Sequence, residues 1–345
     1  MNMDKEIPRS VVWHGNELRL LDQRKLPHKE EYRLCESVQD VFEAIATLTV
    51  RGAPAIGIAA AYGLLLDFDD ESSDPLDFES RCDFLISARP TAVNLAWAVN
   101  RMRARYIEAA HQENRRSLLE AEAHAIHQED ALACQAIANA GYPLVQSNPR
   151  VLTHCNAGSL AVSEMGTALA PIYKAHEKKI KVHVYVDETR PLLQGARLTA
   201  YELYRNGVDC TLISDNMAAH IMSEGDVDMV LVGADRIASN GDTANKIGTL
   251  NLAILCQYFS IPFYVAAPRS TIDISTPQGC DIVIEERDPR EVKEIAGELI
   301  APIQVDARSP AFDVTPNKLI AGIITEQGIL RAPFDLSIGA IFDLP

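Results

Sequence analysis

Two residues with proton-carrying side chains follow short apolar runs that are typical of β-strands. One is Cys155, which comes after the run at 151–153 and stands between His154 and Asn156. A helix predicted to begin near Ser159 would lower the pKa of the thiol and make a reactive thiolate accessible. The alternative is a small buried cysteine at a strand end. A zinc site is less favoured, because no further Cys or His lies within the usual ligand spacing.

The second such residue is Asp235, which follows the apolar run at 229–232 through a Gly-Ala pair. Its carboxyl is predicted to face a partly desolvated crevice, where burial would raise its pKa and allow it to donate a proton near neutral pH. The alternative is an ion pair with Arg236 or Arg190, which would lower the pKa instead. Both interpretations stay open at the level of sequence.

A third feature could hold a phosphate group. Arg51, Gly52 and Ala53 form a glycine-rich turn ahead of an apolar segment at 55–66. The turn is not a nucleotide phosphate loop, because Ile-Ala stands where Lys and Ser or Thr are needed. A guanidinium group beside a helix N-terminus can still bind one phosphate. The alternative is a tight turn with a surface arginine.

Other polar residues lie in turns beside predicted helices. Arg89 could be a second clamp on an anion, or a partner for the end of the preceding helix. Gln194 stands beside a glycine and could contact a hydroxyl group. The polar loop at 241–248, which contains Asn245 and Lys246, is predicted to enter an apolar helix and to hold a phosphate or a hydroxyl there. A capped helix start is the alternative.

The elements that must position these residues change in character along the chain. After a short strand-rich start, helical spacing of apolar residues predicts helices at 38–48, 55–66, 95–105 and 114–140. Short β-branched runs then alternate with stretches long enough for helices, which predicts parallel strands and crossover helices. These runs lie at 151–153, 181–186, 210–213, 229–232 and 263–266. The sequence therefore predicts an α/β protein with a small, mainly helical N-terminal domain at 1–147 and a Rossmann-like parallel-sheet domain at 148–345.

Polar residues follow four of the predicted strands. They are His154 to Asn156, Asp187 to Arg190, Asp215 with Asn216, and Asp235 with Arg236. The carboxyl ends of parallel strands meet at one crevice, where ligands bind. We therefore expect one pocket to collect all four groups, although any single one could be an ordinary helix cap.

Composition limits the classes of function. With 47% hydrophobic residues in 345, the chain can fill a sizeable core, and its formal net charge of −16 repels nucleic acid and anionic lipid. The seven cysteines include no CxxC pair and are interpreted as reduced. The start of the chain lacks a signal-peptide pattern, and no apolar run is long enough to span a membrane. We expect a cytoplasmic protein that binds neither nucleic acid nor a membrane.

Several long strings resemble those of one known family. They are RGAPAIG (51–57), RPTAVN (89–94), THCNAGSLA (153–161), DETRPLLQGARLTAYEL (187–203), GADRIASNGDTANKIGT (233–249), PFYVAAP (262–268) and PAFDVTP (310–316). The chain resembles the methylthioribose-1-phosphate isomerase family, from about residue 10 to residue 330. That family is related to the regulatory subunits of translation initiation factor 2B.

The resemblance implies an aldose-to-ketose isomerisation in methionine salvage, on a sugar 1-phosphate and without cofactor or metal. It implies that Asp235 is the proton donor and Cys155 its catalytic partner. It further implies a homodimer. The residues that would bind substrate are Arg51, Gly52, Ala53, Arg89, Gln194, Asn245 and Lys246.

Two departures from the family pattern bear on substrate choice. Tyr201 stands where a Trp is expected, and Leu250 where a Tyr commonly follows the KIGT string. Both are expected near the pocket, so the group on C5 of the sugar could differ. The alternatives are an isomerase of 5-deoxyribose 1-phosphate or another aldose 1-phosphate, and a non-catalytic regulatory subunit of the initiation-factor type.

Overall fold

The computed structural model describes residues 7–66, 68, 75–110 and 112–343. The helices are α1 Val38–Ala46, α2 Ala53–Gly63, α3 Pro75–Ser87, α4 Val93–Glu108, α5 Arg115–Ser147, α6 Leu169–Glu177, α7 Ala200–Arg205, α8 Ala218–Ser223, α9 Thr249–Phe259, α10 Arg290–Lys293 and α11 Phe334–Phe342. The strands are β1 Val11–His14, β2 Glu17–Leu21, β3 Tyr32–Cys35, β4 Arg150–Thr153, β5 His183–Asp187, β6 Asp209–Ile213, β7 Met229–Val232, β8 Arg236–Ala238, β9 Thr243–Lys246, β10 Phe263–Ala266, β11 Ile272–Asp273, β12 Glu294–Ile295, β13 Glu298–Leu299, β14 Phe312–Thr315, β15 Gly322–Thr325 and β16 Gly328–Leu330.

The first part of the chain is a small antiparallel sheet, β1-β2-β3, followed by helices. Ser37 and Asp40 form a capping box that starts α1, as their side chains bond reciprocally to the backbone of the first turn. Helix α2 is apolar on every side, so it must be enclosed, and residues 55–63 are all buried. It packs against α1, α4 and α5. Its N-terminus is thereby fixed at the edge of the second part of the chain.

The second part is built on a seven-stranded sheet with the order β16-β15-β10-β7-β4-β5-β6. All neighbouring strands are parallel except β15 and β16. Helices cover both faces, which is why β7 and β10 are continuous buried apolar runs. From β4 the chain extends first to one side through β5 and β6, and then to the other through β7, β10 and β15. The switch point of the sheet lies between β4 and β7.

A four-stranded sheet, β11-β8-β9-β14, lies beside this one. Its strand β9 corrects one prediction, because the segment at 241–248 was expected to be a polar loop entering a helix. Residues Thr243–Lys246 instead pair with β8 and with β14, in a register that sets Lys246 opposite Phe312. All four residues of β9 are buried, which the polar letters of the segment did not indicate.

Except for a helix near Ser159, the other predicted helices and strands are confirmed, and the largest difference is at the end of α5, which runs to Ser147 and not to 140. The predicted helices correspond to α1, α2, α4 and α5, and the five predicted runs to β4, β5, β6, β7 and β10. Helix α5 ends at Ser147 and β4 begins at Arg150, where the boundary was placed. The division into two domains at that point stays a prediction, and residues 1–6 and 344–345 of its ranges lie outside the described residues. Among the described helices, none has both the length and the apolar character needed to cross a membrane.

Candidate active site

A pocket lies at the carboxyl ends of β4 and β7, beneath the N-terminus of α2. All nine residues singled out in the sequence line it, namely Arg51, Gly52, Ala53, Arg89, Cys155, Gln194, Asp235, Asn245 and Lys246. They come from distant parts of the chain. Their roles stay a prediction, but the structure brings every one of them to the same cavity.

Arg51 and Gly52 form the wall contributed by the helical part. The backbone of Gly52 has φ +104°, and a Cβ there would lie 2.3 Å from the carbonyl oxygen of Ala161, so this close approach requires glycine. The guanidinium of Arg51 donates to the Oδ1 atom of Asn156 at 2.5 Å and to its carbonyl oxygen at 2.9 Å. Arg51 is partly buried and lines the pocket, so the alternative of a surface arginine is wrong. Both of these partners are neutral, and the charge of Arg51 stays available to an anion.

Cys155 takes a left-handed backbone conformation at the end of β4, with φ +61°. Two threonines hold it there: its N–H donates to Thr189 Oγ1 at 2.8 Å, and Thr199 Oγ1 donates to its carbonyl oxygen at 2.6 Å. A non-glycine residue in this conformation is costly, and such strain is frequent at functional sites. Burial raises the pKa of the thiol, against the opposing charges of Arg51 and Lys246. The thiol is therefore neutral at ordinary pH.

The helix predicted near Ser159 is wrong. Residues Ser159–Ala161 form a single 3₁₀ turn, and the next helix begins only at Leu169. The backbone N–H groups of Ser159 and Leu160 donate to the carboxylate of Glu202 and not to a ligand. No helix dipole therefore activates Cys155 from this segment, which removes the reason given for a lowered thiol pKa.

Asp235 follows β7 and is anchored by its backbone N–H, which donates to the carbonyl oxygen of Ala244 at 2.9 Å. Neither ion pair considered in the sequence forms: Arg236 lies 3.5 Å from Asp273, and Arg190 donates to backbone carbonyls, including that of Val292 at 2.7 Å. Among the described residues, no group donates a hydrogen bond to the Asp235 carboxylate. Burial raises its pKa, although Lys246, Arg89 and Arg51 act in the opposite direction. The protonated carboxyl is thereby favoured.

Three further polar side chains complete the pocket. Arg89 pairs with Glu285 at 3.1 Å, so it is not a partner for the preceding helix. Lys246 donates to the carbonyl oxygen of Ala311 at 3.0 Å, and burial lowers the pKa of its ammonium. In the described part of the chain, Arg89 Nε and Gln194 Oε1 are buried without a hydrogen-bond partner. Buried polar atoms of this kind are rare and often serve a ligand.

Sequence reasoning missed Arg287 and Phe312, which also line the pocket. Arg287 pairs with Glu285 and Glu291. It lies in an irregular segment with no periodic pattern, so nothing in the sequence marked it. The ring centroid of Phe312 lies 5.0 Å from the ammonium nitrogen of Lys246, a cation–π contact. The string PAFDVTP was the one sequence signal that could have indicated this residue.

The expectation that one pocket collects all four strand-end groups is wrong for two of them. Asp187 and Asp215 do not line the pocket. The Asp187 carboxylate lies 3.0 Å from His154 Nδ1, and Asp215 accepts from the backbone N–H groups of Thr189 and Arg190, both at 2.7 Å. These bonds join the loop after β5 to the ends of β4 and β6.

Ligand atoms of His154, Asp187 and Asp215 lie within 4.8 Å of one another, the spacing of a metal site. The other ring nitrogen of His154 lies 2.8 Å from the carbonyl oxygen of Ile247 and must therefore donate to it. Burial lowers the pKa of His154, but Asp187 outweighs it and the net shift is upward. Asp187 Oδ1 is buried without a hydrogen-bond partner, but both ring nitrogens of His154 and both Asp215 oxygens have partners. The cluster therefore fits a structural hydrogen-bond network better than a metal centre.

The two departures from the family pattern lie outside the pocket. The hydroxyl of Tyr201 donates to Glu30 at 2.6 Å, and Leu250 donates its backbone N–H to Asp313. Neither residue lines the cavity itself, and the expectation that both lie near it stays a prediction.

Fold and pocket together define a class: a Rossmann-like α/β protein with a cation-lined pocket at the switch point of its sheet. The family model described as "Initiation factor 2 subunit family" matches residues 49–332. A relative from Bacillus pumilus, named methylthioribose-1-phosphate isomerase, is 52% identical over 347 residues, which are 99% of this chain and 98% of its own. A relative of the same name from Bacillus cytotoxicus is 49% identical, and the match covers 99% of this chain and 100% of the relative. The chain belongs to the initiation factor 2 subunit family and, within it, to the methylthioribose-1-phosphate isomerase family.

Solved structures agree with the fold. The crystal structure of 5-methylthioribose 1-phosphate isomerase from Pyrococcus horikoshii OT3 matches with a TM-score of 0.90 and 42% identity, covering 99% of this chain and 97% of its own. A structure from A. fulgidus, described as translation initiation factor eIF-2B, subunit delta, matches with a TM-score of 0.84 and 38% identity over 98% of this chain and 100% of its own. The predicted fold class is confirmed.

Proposed function

We propose that this protein isomerises 5-methylthioribose 1-phosphate to 5-methylthioribulose 1-phosphate, a step of methionine salvage, with Asp235 as the proton donor and Cys155 as its catalytic partner. The observation that carries the proposal is the Asp235 carboxyl, whose pKa is raised by burial and which has no protein hydrogen-bond donor among the described residues. It opens into the same pocket as Cys155 and Arg51. The family membership supports the substrate.

The phosphate is bound at the α2 end of the pocket. Among the described residues, Arg51 forms no ion pair with a carboxylate, so it brings a positive charge for the phosphate, and Gly52 brings the N-terminus of α2. Arg89 and Arg287 both pair with Glu285, so they offer less free charge for a second anionic group. One phosphate on the substrate matches this distribution better than two.

The remainder of the pocket favours an apolar substituent on C5. Leu48, Val162 and Leu192 line it together with several alanines and prolines. A methylthio group can bury its surface against such side chains, whereas a second phosphate would lose its hydration beside them.

Ring opening is the first chemical demand, because a phosphate on C1 prevents the sugar from opening to a free aldehyde. Asp235 in its neutral form protonates the ring oxygen, and the C1–O bond breaks to leave a cationic centre at C1. Hydrogen then moves from C2 to C1 with its electron pair, and the Asp235 carboxylate accepts the proton of the C2 hydroxyl. The acid is regenerated in each turnover. General acid–base catalysis of this kind contributes about 10²–10⁴-fold to the rate.

The other route for the hydrogen runs through a cis-enediolate, with a Cys155 thiolate as the base. Burial raises the pKa of Cys155, so the thiolate is disfavoured and we propose the direct hydride shift. The neutral, polarizable thiol then faces the cationic centre without supplying a charge. Substrate labelled with deuterium at C2 should carry the label to C1 in the product. Exchange of the label with solvent would contradict this route.

The proposal also includes a homodimer in the cytoplasm. All seven cysteines are free thiols, which suits a reducing compartment. The dimer rests on the family resemblance, and light scattering of the purified protein tests it, with a monomer as the contrary result.

The direct test compares kcat/KM of the purified protein for 5-methylthioribose 1-phosphate and 5-deoxyribose 1-phosphate, without added metal and then with a chelator. We expect the methylthio sugar to be preferred and the rate to be insensitive to the chelator. Preference for the deoxy sugar would assign the alternative substrate. Turnover of neither would overturn the assignment as an enzyme and favour a regulatory subunit.

A further inference from the structure

The side chain of Glu202 is the most completely hydrogen-bonded carboxylate near the site, yet it does not line the pocket. It lies on α7 and has 0% solvent exposure. A buried carboxylate is tolerated only when hydrogen bonds replace its lost hydration. Its five donors are Asn156 Nδ2, the backbone N–H and hydroxyl of Ser159, the backbone N–H of Leu160 and the hydroxyl of Tyr173.

Four of these five donors belong to the loop that follows Cys155. Their distances to the carboxylate range from 2.7 Å for the Ser159 N–H to 3.1 Å for the Leu160 N–H. The loop wraps so tightly that a Cβ at Gly158 would lie 2.2 Å from Glu202 Oε2. Ala161, at the end of the same loop, is the residue that packs on Gly52. The shape of this side of the pocket therefore depends on Glu202.

Asn156 carries the effect of Glu202 to Arg51. Its Nδ2 atom donates to Glu202 Oε1 at 2.8 Å and lies 3.2 Å from Thr199 Oγ1. An amide side chain has a donor end and an acceptor end, so this bond turns Asn156 Oδ1 the other way. That oxygen accepts from Arg51 Nη1 at 2.5 Å. Without Glu202, the amide could rotate and present its NH₂ group to the guanidinium, and two donors would face each other.

We infer that Glu202 is a positioning residue for the anion clamp: it fixes the orientation of the Asn156 amide, which holds Arg51 toward the phosphate. Glu202 itself touches no substrate. The inference rests on the proposed function in one respect, that Arg51 binds the phosphate. Glu202 is thus a further functional residue, although it lies outside the pocket. Its position on a helix did not single it out in the sequence.

Glu202→Gln tests the inference, because the amide keeps the shape of the side chain but replaces one acceptor oxygen by a donor. We expect KM for the sugar 1-phosphate to rise about 10-fold, the cost of one charge-assisted hydrogen bond, with kcat changed less than about twofold. Inorganic phosphate, followed by calorimetry, should bind more weakly by the same factor. An unchanged KM together with unchanged phosphate binding would overturn the inference.

Tyr173→Phe is the matched control. It removes one hydrogen bond from the same buried carboxylate, at 3.1 Å, and leaves Asn156 untouched. We expect it to lower thermal stability while KM and phosphate binding stay at the wild-type values. If Tyr173→Phe and Glu202→Gln raise KM equally, Glu202 has only a structural role and the inference is wrong.

Two more variants separate this inference from the proposed function. Arg51→Ala should raise KM, and Glu202→Gln added to it should raise KM no further, because both act through one clamp. If Arg51→Ala leaves phosphate binding intact, the clamp itself is wrong. If Arg51→Ala weakens binding but neither Glu202→Gln nor Asn156→Ala does, only the positioning role fails. Asn156→Ala serves as the test should Glu202→Gln fold poorly.

Discussion

The carboxyl ends of β4 and β7 differ from those of β5 and β6, although all four strands end in polar residues. Asp235, after β7, faces the pocket with no protein donor for its carboxylate among the described residues. Asp215, after β6, accepts two backbone hydrogen bonds and lies away from the pocket. For these two aspartates, the difference is whether the fold supplies hydrogen-bond donors to the carboxylate.

The topology of the sheet explains this difference. Between β4 and β7 the chain departs toward opposite edges of the sheet, so no connecting loop covers the crevice at that point. Beside β5 and β6 the loop at 188–190 folds back over the strand ends, and its N–H groups reach Asp215. The ends of β4 and β7 are therefore open to a ligand. The ends of β5 and β6 hold the loop at 188–190, whose Thr189 supports Cys155.

Asp235→Asn should give the largest effect. The variant cannot protonate the ring oxygen, so kcat should fall by about 10²–10⁴-fold, while the fold survives because no hydrogen bond to the carboxylate is lost. Steady-state kinetics and thermal unfolding measured on the same preparation check both parts. A kcat within threefold of wild type would remove Asp235 from the mechanism.

Cys155→Ser should lower kcat by about 10²-fold, as expected for the loss of a catalytic partner. Serine keeps the size and the backbone bonds to Thr189 and Thr199, so stability should change little. Comparing the loss of kcat in this variant with the loss in Asp235→Asn shows which of the two residues contributes more to catalysis. Full activity of the serine variant would mean that the thiol is only a small residue in a strained turn.

Asp215→Asn tests the other pair of strand ends. The amide nitrogen would face a backbone N–H of Thr189 or Arg190, so one hydrogen bond becomes a repulsion of two donors. The free energy of unfolding should fall by about 1–3 kcal/mol. Urea unfolding measures it. Loss of activity at full stability would show that Asp215 belongs to the chemistry and would break the comparison.

The smallest expected effect is on the pH dependence of stability. Because the folded pKa of Asp235 is raised, its stabilising contribution is complete below the ordinary value of 3.8 and is lost as pH rises through the folded pKa. The melting temperature of Asp235→Asn relative to wild type should therefore increase from pH 4 to pH 8. A constant difference across this range would mean that the pKa is not raised.

Much of the fold could be predicted from the sequence, because periodic apolar patterns marked α1, α2 and the five parallel strands. The pocket residues could be named because they lie in long strings shared with a known family. What failed was local: the helix at Ser159 and the loop at 243–246. Both depended on tertiary partners, namely the Glu202 carboxylate that takes the N–H groups of the first and the strand β14 that pairs with the second.

Two further residues were not singled out from the sequence. Arg287 lines the pocket but lies in an irregular segment, and Glu202, which lies outside the pocket, occupies an ordinary helical position. Asp187 and Asp215 carried the same signal as Asp235, and only their partners in the folded structure separate them. Hydrogen-bond partners are set by long-range packing, which a local pattern does not contain.

The most direct measurement is kcat/KM for 5-methylthioribose 1-phosphate with wild type, Asp235→Asn and Asp215→Asn, each corrected for its folded fraction. Both variants make the same exchange of a carboxylate for an amide at the end of a parallel strand. A loss of at least about 100-fold in Asp235→Asn, with less than about tenfold in Asp215→Asn, is the predicted result. Equal losses in the two variants would contradict the assignment of chemistry to the β4–β7 ends.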